Sequence, residues 1–261
     1  MHPLVDISWW RLSACGLCLI FAVAVSLRMK LGIERTLTIA SIRGPLQLFA
    51  VGYALSAIFA VRNPLLVIAL LLIMLSVAAR TGAGRLSRPL PHIAPLLGVS
   101  LACGTAISLV VMTTLVVPTE PWYDPQYLIP FGGMLLGNSM NAASLAGERF
   151  QEELRARRLH IETLLCVGFS GPDSVHEMFA RSLRASMIPT LNAFMVAGIV
   201  QLPGMMTGQI LAGVDPLMAV KYQVLIFFLL LTSVMTTSWM FLSFLRSHYF
   251  TPTHQFRSDL L

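Results

Sequence analysis

Leu202-Pro-Gly-Met-Met-Thr-Gly-Gln209 interrupts an apolar sequence with a proline, two glycines, two thioethers, a hydroxyl and an amide. Met205 and Met206 offer sulfur to a soft or borderline metal, and Gln209 offers an amide. A second group lies between Ile129 and Leu145, where Met134, Asn138, Met140, Asn141 and Ser144 interrupt an apolar run. Met134 and Asn138, four residues apart, share a helix face. If that face meets the broken segment, thioether and amide groups converge on one ligand, as polar breaks do along solute routes. The same residues also suit packing. Methionine fills irregular gaps, and asparagine ties helices together within a membrane. The sequence admits both roles.

Other chemistry is thin. Cys15-Gly-Leu-Cys18 has the spacing of a metal or redox pair, yet it lies with Cys103 in apolar runs where cysteine usually packs, and no disulfide framework is expected of four such residues. The six histidines form no His-Glu-x-x-His, and no Gly-x-Ser-x-Gly has a plausible buried partner. Lys30 and Lys221 are the two lysines, and neither follows glycine, so the chain carries no P-loop. A transport protein is expected, without catalytic residues or a cofactor of its own.

The elements that hold these groups are membrane spans. Of 261 residues 56% are hydrophobic and only 11% charged, with mean hydropathy +0.75, which excludes an ordinary soluble domain. The chain reads as a single all-α permease domain over residues 1–261. Seven segments reach or approach the length needed to cross the hydrocarbon core: Trp9–Leu27, Gly44–Val61, Pro64–Ala79, Ile93–Val117, Leu128–Gly147, Met187–Leu202 and Val220–Leu245. Leu31–Ile42 reads as an interfacial helix or an extension of the second span. In the fifth span Gly133 and Gly137 form Gly-x-x-x-Gly, which lets another helix come close. With no cleavable leader pattern at the start, the first apolar run is expected to be retained.

Charge sets the orientation. Arg28, Lys30, Arg35 and Arg43 follow span one, and Arg80, Arg85 and Arg88 follow span three. Six arginines from Arg149 to Arg184 follow span five, and Arg246 and Arg257 follow span seven. Only Arg11, Arg62 and Lys221 fall on the other side. The basic side is cytoplasmic by the positive-inside rule, so the N-terminus is expected outside and the C-terminus in the cytosol of a multi-pass inner-membrane protein. The net charge of +6 thus belongs to topology, with lipid as the partner and no role for nucleic acid.

Residues 148–186 form a helical cytoplasmic arm between spans five and six. Gly168-Phe-Ser-Gly-Pro-Asp-Ser174 breaks it, and Pro172 with Asp173 signals a fresh helix start. Val175, Phe179 and Leu183 then make an apolar stripe that needs a partner. The stripe either packs on the chain's own helices or docks into a cytosolic subunit. Glu162-Thr-Leu-x-x-x-Gly168 partly resembles the coupling motif of permeases in ATP-binding-cassette importers.

Several motifs together resemble one family. These are Arg43-x-x-x-Gln47-Leu with Val51-Gly-Tyr53, Ile129-Pro-x-x-Gly-Met-x-x-Gly-Asn-x-Met140, Ile188-Pro-Thr190, Leu202–Gln209, Ala212-Gly-Val-Asp-Pro216 and Lys221-Tyr-Gln223. They occur in order from about Arg28 to Arg246. The chain is similar here to the permease subunits of Fet-type (FetB-like) iron exporters and their relatives in plant aluminium tolerance. The resemblance implies a permease that works with a separate cytosolic ATP-binding-cassette ATPase, as two permeases with two ATPases, ATP and magnesium residing on the partner. It implies that Gly168–Ser174 meets that ATPase. It also implies export of iron or another metal, as in bacterial relatives linked to oxidative-stress resistance, or of a small solute such as a UDP-sugar, as in plant relatives. A stand-alone channel or carrier is the rival. The Gly171-Pro172 pair departs from the family pattern and leaves the local loop open.

Overall fold

The computed structural model describes residues 8, 10, 16–61, 63–87, 90, 92–118, 120–251, 253 and 255–260. Trp9, Arg11, Cys15, Arg62 and Arg88 lie outside the described residues. Ten helices carry the described chain: α1 (Gly16–Met29), α2 (Glu34–Val61), α3 (Pro64–Ala83), α4 (Ile93–Val111), α5 (Pro125–Ala156), α6 (Arg158–Cys166), α7 (Gly171–Ser174), α8 (His176–Met195), α9 (Gly204–Leu211) and α10 (Pro216–His248). A π-helical turn, Met112–Val116, extends α4. Among the described residues no strand forms, only the isolated bridges Ala197–Gln201 and Phe250–Phe256. The all-α class holds.

Among the described residues three helical stretches are long and apolar enough to cross a membrane: Pro64–Ala83, Ile93–Val116 and Pro216–His248. Local sequence sets their ends. Asp124 accepts a hydrogen bond from the Gln126 N–H at 2.9 Å with Pro125 opening α5, and Asp215 accepts from the Met218 N–H at 3.1 Å with Pro216 opening α10. Each carboxylate satisfies an orphan donor of the first turn, where proline has no N–H to waste.

The chain divides into two compact units, Met1–Asn63 with Leu211–Gly213, and Pro64–Ile210 with Val214–Leu261. In the smaller, α1 packs on α2 through a turn in which Lys30 and Gly32 take positive φ. The Ser26 hydroxyl donates to the Glu34 carboxylate at 2.8 Å. Backbone N–H groups, first Glu34's own, and then this hydroxyl hold the Glu34 carboxyl below the usual carboxylate range. Because α2 starts at Glu34 and runs unbroken to Val61, Leu31–Ile42 is largely an extension of the second span's helix.

In the larger unit α3 pairs with α4, α10 lies across α4 and α5, and α8 rests on α5 and α10. A methyl on Gly104 of α4 would sit 2.3 Å from the Thr237 hydroxyl and 2.8 Å from the Ser233 carbonyl of α10, so only glycine permits this crossing. Hydroxyls reinforce it: Ser139 and Ser233 lie 2.9 Å apart, and Ser108 donates to the Leu229 carbonyl at 3.1 Å. Small residues and interhelical hydrogen bonds do here what apolar burial cannot do in lipid.

Two expectations shift. The expected sixth span, Met187–Leu202, is replaced by α8, which carries the arm's second helix without interruption from His176 through Pro189 to Met195. The stop is Gly198, whose φ of 83° only glycine adopts freely and whose N–H bonds the Gln201 carbonyl at 2.9 Å; the chain turns there, before Pro203. The second shift concerns helix packing. A Cβ on Gly133 would meet only the flexible end of Met74 at 3.0 Å, and Gly137 has nothing within 4 Å. The tight approach falls instead on Gly132, where a Cβ would come within 2.6 Å of Leu71. The face of α5 turned to α3 is thus one residue away from the Gly-x-x-x-Gly stripe.

Candidate functional site

Three helices of the larger unit stand apart around a groove of about 230 Å³. Asn138 and Asn141 line it from α5, Ser186, Pro189 and Thr190 from α8, and Phe227 from α10. Residues 138, 141 and 145 recur every three to four positions, as do 186, 189, 190 and 193, so each helix turns one face to the groove. Proline lacks the N–H that would bond the carbonyl four residues back, so the turn at Pro189 also holds a backbone oxygen without its helical donor. No charged side chain lines the groove. Its walls offer amide and hydroxyl groups on an apolar floor.

Of the residues singled out from sequence, the groove unites Asn138 and Asn141, while Met134, Met140, Met205, Met206 and Gln209 are not among its lining. Met140 packs against the core, with its Cγ where a Gly82 side chain would have to go. Met205 and Met206 are half-buried on α9, and the amide oxygen of Gln209 is buried without a hydrogen-bond partner. Ser186 and Thr190 were not assigned from sequence, although Ile188-Pro-Thr190 stands among the family motifs. Their signal is a helical face that pairs hydroxyls with proline. Among the described residues no group of three or more His, Cys, Asp or Glu side chains comes together. Cys18 and Cys166 are exposed, and Cys18's expected companion Cys15 lies outside the described residues.

The arm folds back as a packed end of the same bundle. Val175 and Phe179 are buried and Leu183 packs beside them, so the apolar stripe finds its partner within this chain. Phe150 meets the Phe179 and Tyr249 rings edge-on at 6.4 and 6.5 Å, and the Arg246 guanidinium lies 5.0 Å from the centre of the Phe179 ring. Gln151 donates to the Tyr249 hydroxyl at 3.0 Å. Burial pushes the Tyr249 phenol up from its ordinary value, opposed by that hydrogen bond and by Arg155. Gly171 is explained here as well: a Cβ would come within 2.6 Å of the Phe250 ring, so the residue departing from the family pattern makes room for the tail.

What the arm leaves outside is different. Glu162 pairs with Arg158 at 2.8 Å, Gly168 turns the chain with φ 102°, and Ser170 caps the next turn by accepting from the Asp173 N–H. Pro172 and Asp173 are exposed, as are Leu159, Val167 and Phe169. An apolar tip of this kind needs a cover.

Residues 9–250 match the family described as "Uncharacterised protein family (UPF0014)". The chain belongs to that family. UPF0014 membrane protein slr1647 of Synechocystis is 42% identical over 241 residues, covering 90% of this chain and 92% of that protein. Protein ALUMINUM SENSITIVE 3 of Arabidopsis thaliana is 30% identical over 253 residues, 95% and 91% of the two chains. The probable iron export permease protein FetB of Escherichia coli is 30% identical over 214 residues, 82% and 81%. These relatives bear out the resemblance of the motifs to FetB-like permeases and plant aluminium-tolerance proteins. The chain is a UPF0014 membrane protein, and one of its relatives is named an iron export permease. No solved structure matches it.

Proposed function

We propose that this chain is the transmembrane subunit of an ATP-driven exporter and that its cargo is a metal ion, iron first. One observation carries the proposal: amide and hydroxyl groups from α5 and α8 gather in a groove that no charged side chain lines, with no general base beside its hydroxyls, which suits coordination and release rather than reaction. The relative named as an iron export permease supports the choice of cargo. The chain has no P-loop, so the energy comes from a separate cytosolic ATPase, and two permeases with two ATPases complete the machine. Seven spans are assigned, four beyond the three that length and composition support, with the sixth carried by the latter part of α8 rather than by Met187–Leu202, the N-terminus outside and the C-terminus in the cytosol of the inner membrane. On that topology the exposed tip around Phe169, Pro172 and Asp173 is the ATPase-docking surface.

Two experiments test this reading. Phe169→Glu sets a charge on an exposed docking surface and should abolish copurification with the proposed ATPase partner, leaving the permease folded; undiminished copurification removes the tip from the interface. Phe179→Glu is unsuitable, because Phe179 is buried and a carboxylate there unfolds the arm. For topology, a cysteine replacing Gly84 should react with impermeant reagents only from the cytosol and one replacing Glu120 only from outside. Labelling of both from one face contradicts the arrangement.

A further inference from the structure

The polar groups of the groove are engaged in two ways. Asn138 donates its amide N–H to the Met134 carbonyl at 2.8 Å, and Ser186 donates its hydroxyl to the Leu183 carbonyl at 2.8 Å. Ser186 spends its hydroxyl proton and Asn138 one of its two amide N–H groups within their own helices, which leaves the side-chain oxygens of both as acceptors. Asn141 is engaged otherwise. Its side-chain oxygen accepts a hydrogen bond from the Arg85 guanidinium, Nη1 to Oδ1, at 2.6 Å. One oxygen of the groove therefore already holds a cation, and that cation belongs to the protein.

Arg85 is unusual in its partner. Arg149, Arg157, Arg158 and Arg181 of the arm all pair with glutamates. Among the described residues no ion pair is formed by Arg85, which bonds a neutral amide. A guanidinium gains most from carboxylates and phosphates, so an amide holds it more loosely. The contact is nevertheless built in. A Cβ at Gly82 would lie within 2.9 Å of both Met140 and Ser144, and only glycine lets the end of α3 come this close to α5. The Ser144 hydroxyl lies 3.1 Å from the Gly82 carbonyl, which also accepts from the Arg85 N–H at 3.2 Å. The loop bearing Arg85 is thereby fastened to α5 one turn from Asn141.

We propose that Arg85 is a tethered competitor of the cargo: its guanidinium and a cargo cation exclude each other at the Asn141 amide oxygen, so Arg85 sets the affinity of the groove. The proposal rests on reading the groove as a cation site. It requires Arg85 to swing off Asn141 for loading, which an exposed side chain can do.

The test is titration of the full-length, detergent-purified protein with Mn(II), a stable oxygen-preferring probe, following the free-ion paramagnetic signal. Arg85→Gln should bind Mn(II) about tenfold more tightly than wild type, the scale of one charge-assisted hydrogen bond removed from competition. Arg85→Lys, which keeps the charge, should stay near wild type. Asn138→Leu in the Arg85→Gln background should erase the gain and so place it in the groove. If Asn138→Leu abolishes Mn(II) binding but Arg85→Gln leaves it unchanged or weakens it, the competition is refuted while the groove remains a cation site. If Mn(II) binding is absent, or indifferent to Asn138, in every variant, both fail. Binding of UDP-glucose by wild type and its loss in Arg85→Gln would make Arg85 an anion ligand and overturn the proposal.

Discussion

The helices α5, α8 and α10 pass through two regions built in opposite ways. Near the arm they close on Phe150, Phe179, Leu245 and Tyr249, with rings edge to face and Arg246 over one of them. Further along, the same helices part around Asn138, Asn141, Ser186 and Thr190 and leave a groove. Large aromatic side chains fill the first region, and no helix there can shift without opening a cavity. Short polar side chains and a proline line the second, where the helices are held by Ser139–Ser233 and the Gly104 crossing instead. A rigid end thus anchors a looser, more polar one, the pairing expected when a motion at one end must reach a site at the other.

The sharpest way to break this contrast is at the rigid end. Phe150→Ala removes a fully buried ring and should cost about 3–5 kcal/mol of stability, seen as a large fall in the unfolding temperature in detergent. A small fall would mean that the arm is not packed as described. Tyr249→Phe removes only the hydroxyl that meets Gln151 and should cost about 1 kcal/mol in the same assay. Met205→Leu with Met206→Leu nearly conserves volume on half-buried α9 and should cost less than about 1.5 kcal/mol. The pair also separates the two candidate cargo sites: metal export is expected to persist, and its loss would move the site to α9. Smallest of all is the groove, where Asn138→Leu and Thr190→Val should change stability by no more than about 0.5 kcal/mol.

The sequence made the helices legible because their signals are local. Pro172 announces the turn after Ser170, while Asp124-Pro125 and Asp215-Pro216 open α5 and α10 three and four residues ahead of the expected Leu128 and Val220. The arm's apolar stripe was legible as a stripe, while its partner was not: Phe150 and Tyr249 lie 29 and 70 residues from Phe179 along the chain, and only folding brings them together. The sixth span was carried too far toward Pro203, the visible breaker in sequence, because a glycine that stops a helix looks like one that continues it. Pro189 is carried within α8, whereas the turn is made by Gly198 ahead of Pro203. Asn138 and Asn141 stood out as polar groups in an apolar run. Arg85 did not, since it counts as one more basic residue after a span until Gly82 and Ser144 bring it to Asn141.

The most direct measurement of the central claim is Fe(II) transport into inside-out proteoliposomes that hold this chain and its ATPase. With Asn138→Leu and Thr190→Val combined, transport should fall at least about tenfold, the loss expected when coordinating oxygens are replaced by methyl groups, while unfolding temperature and ATPase copurification stay at wild-type values. Undiminished Fe(II) transport by the doubly substituted protein would contradict the account, leaving the groove as a gap between helices.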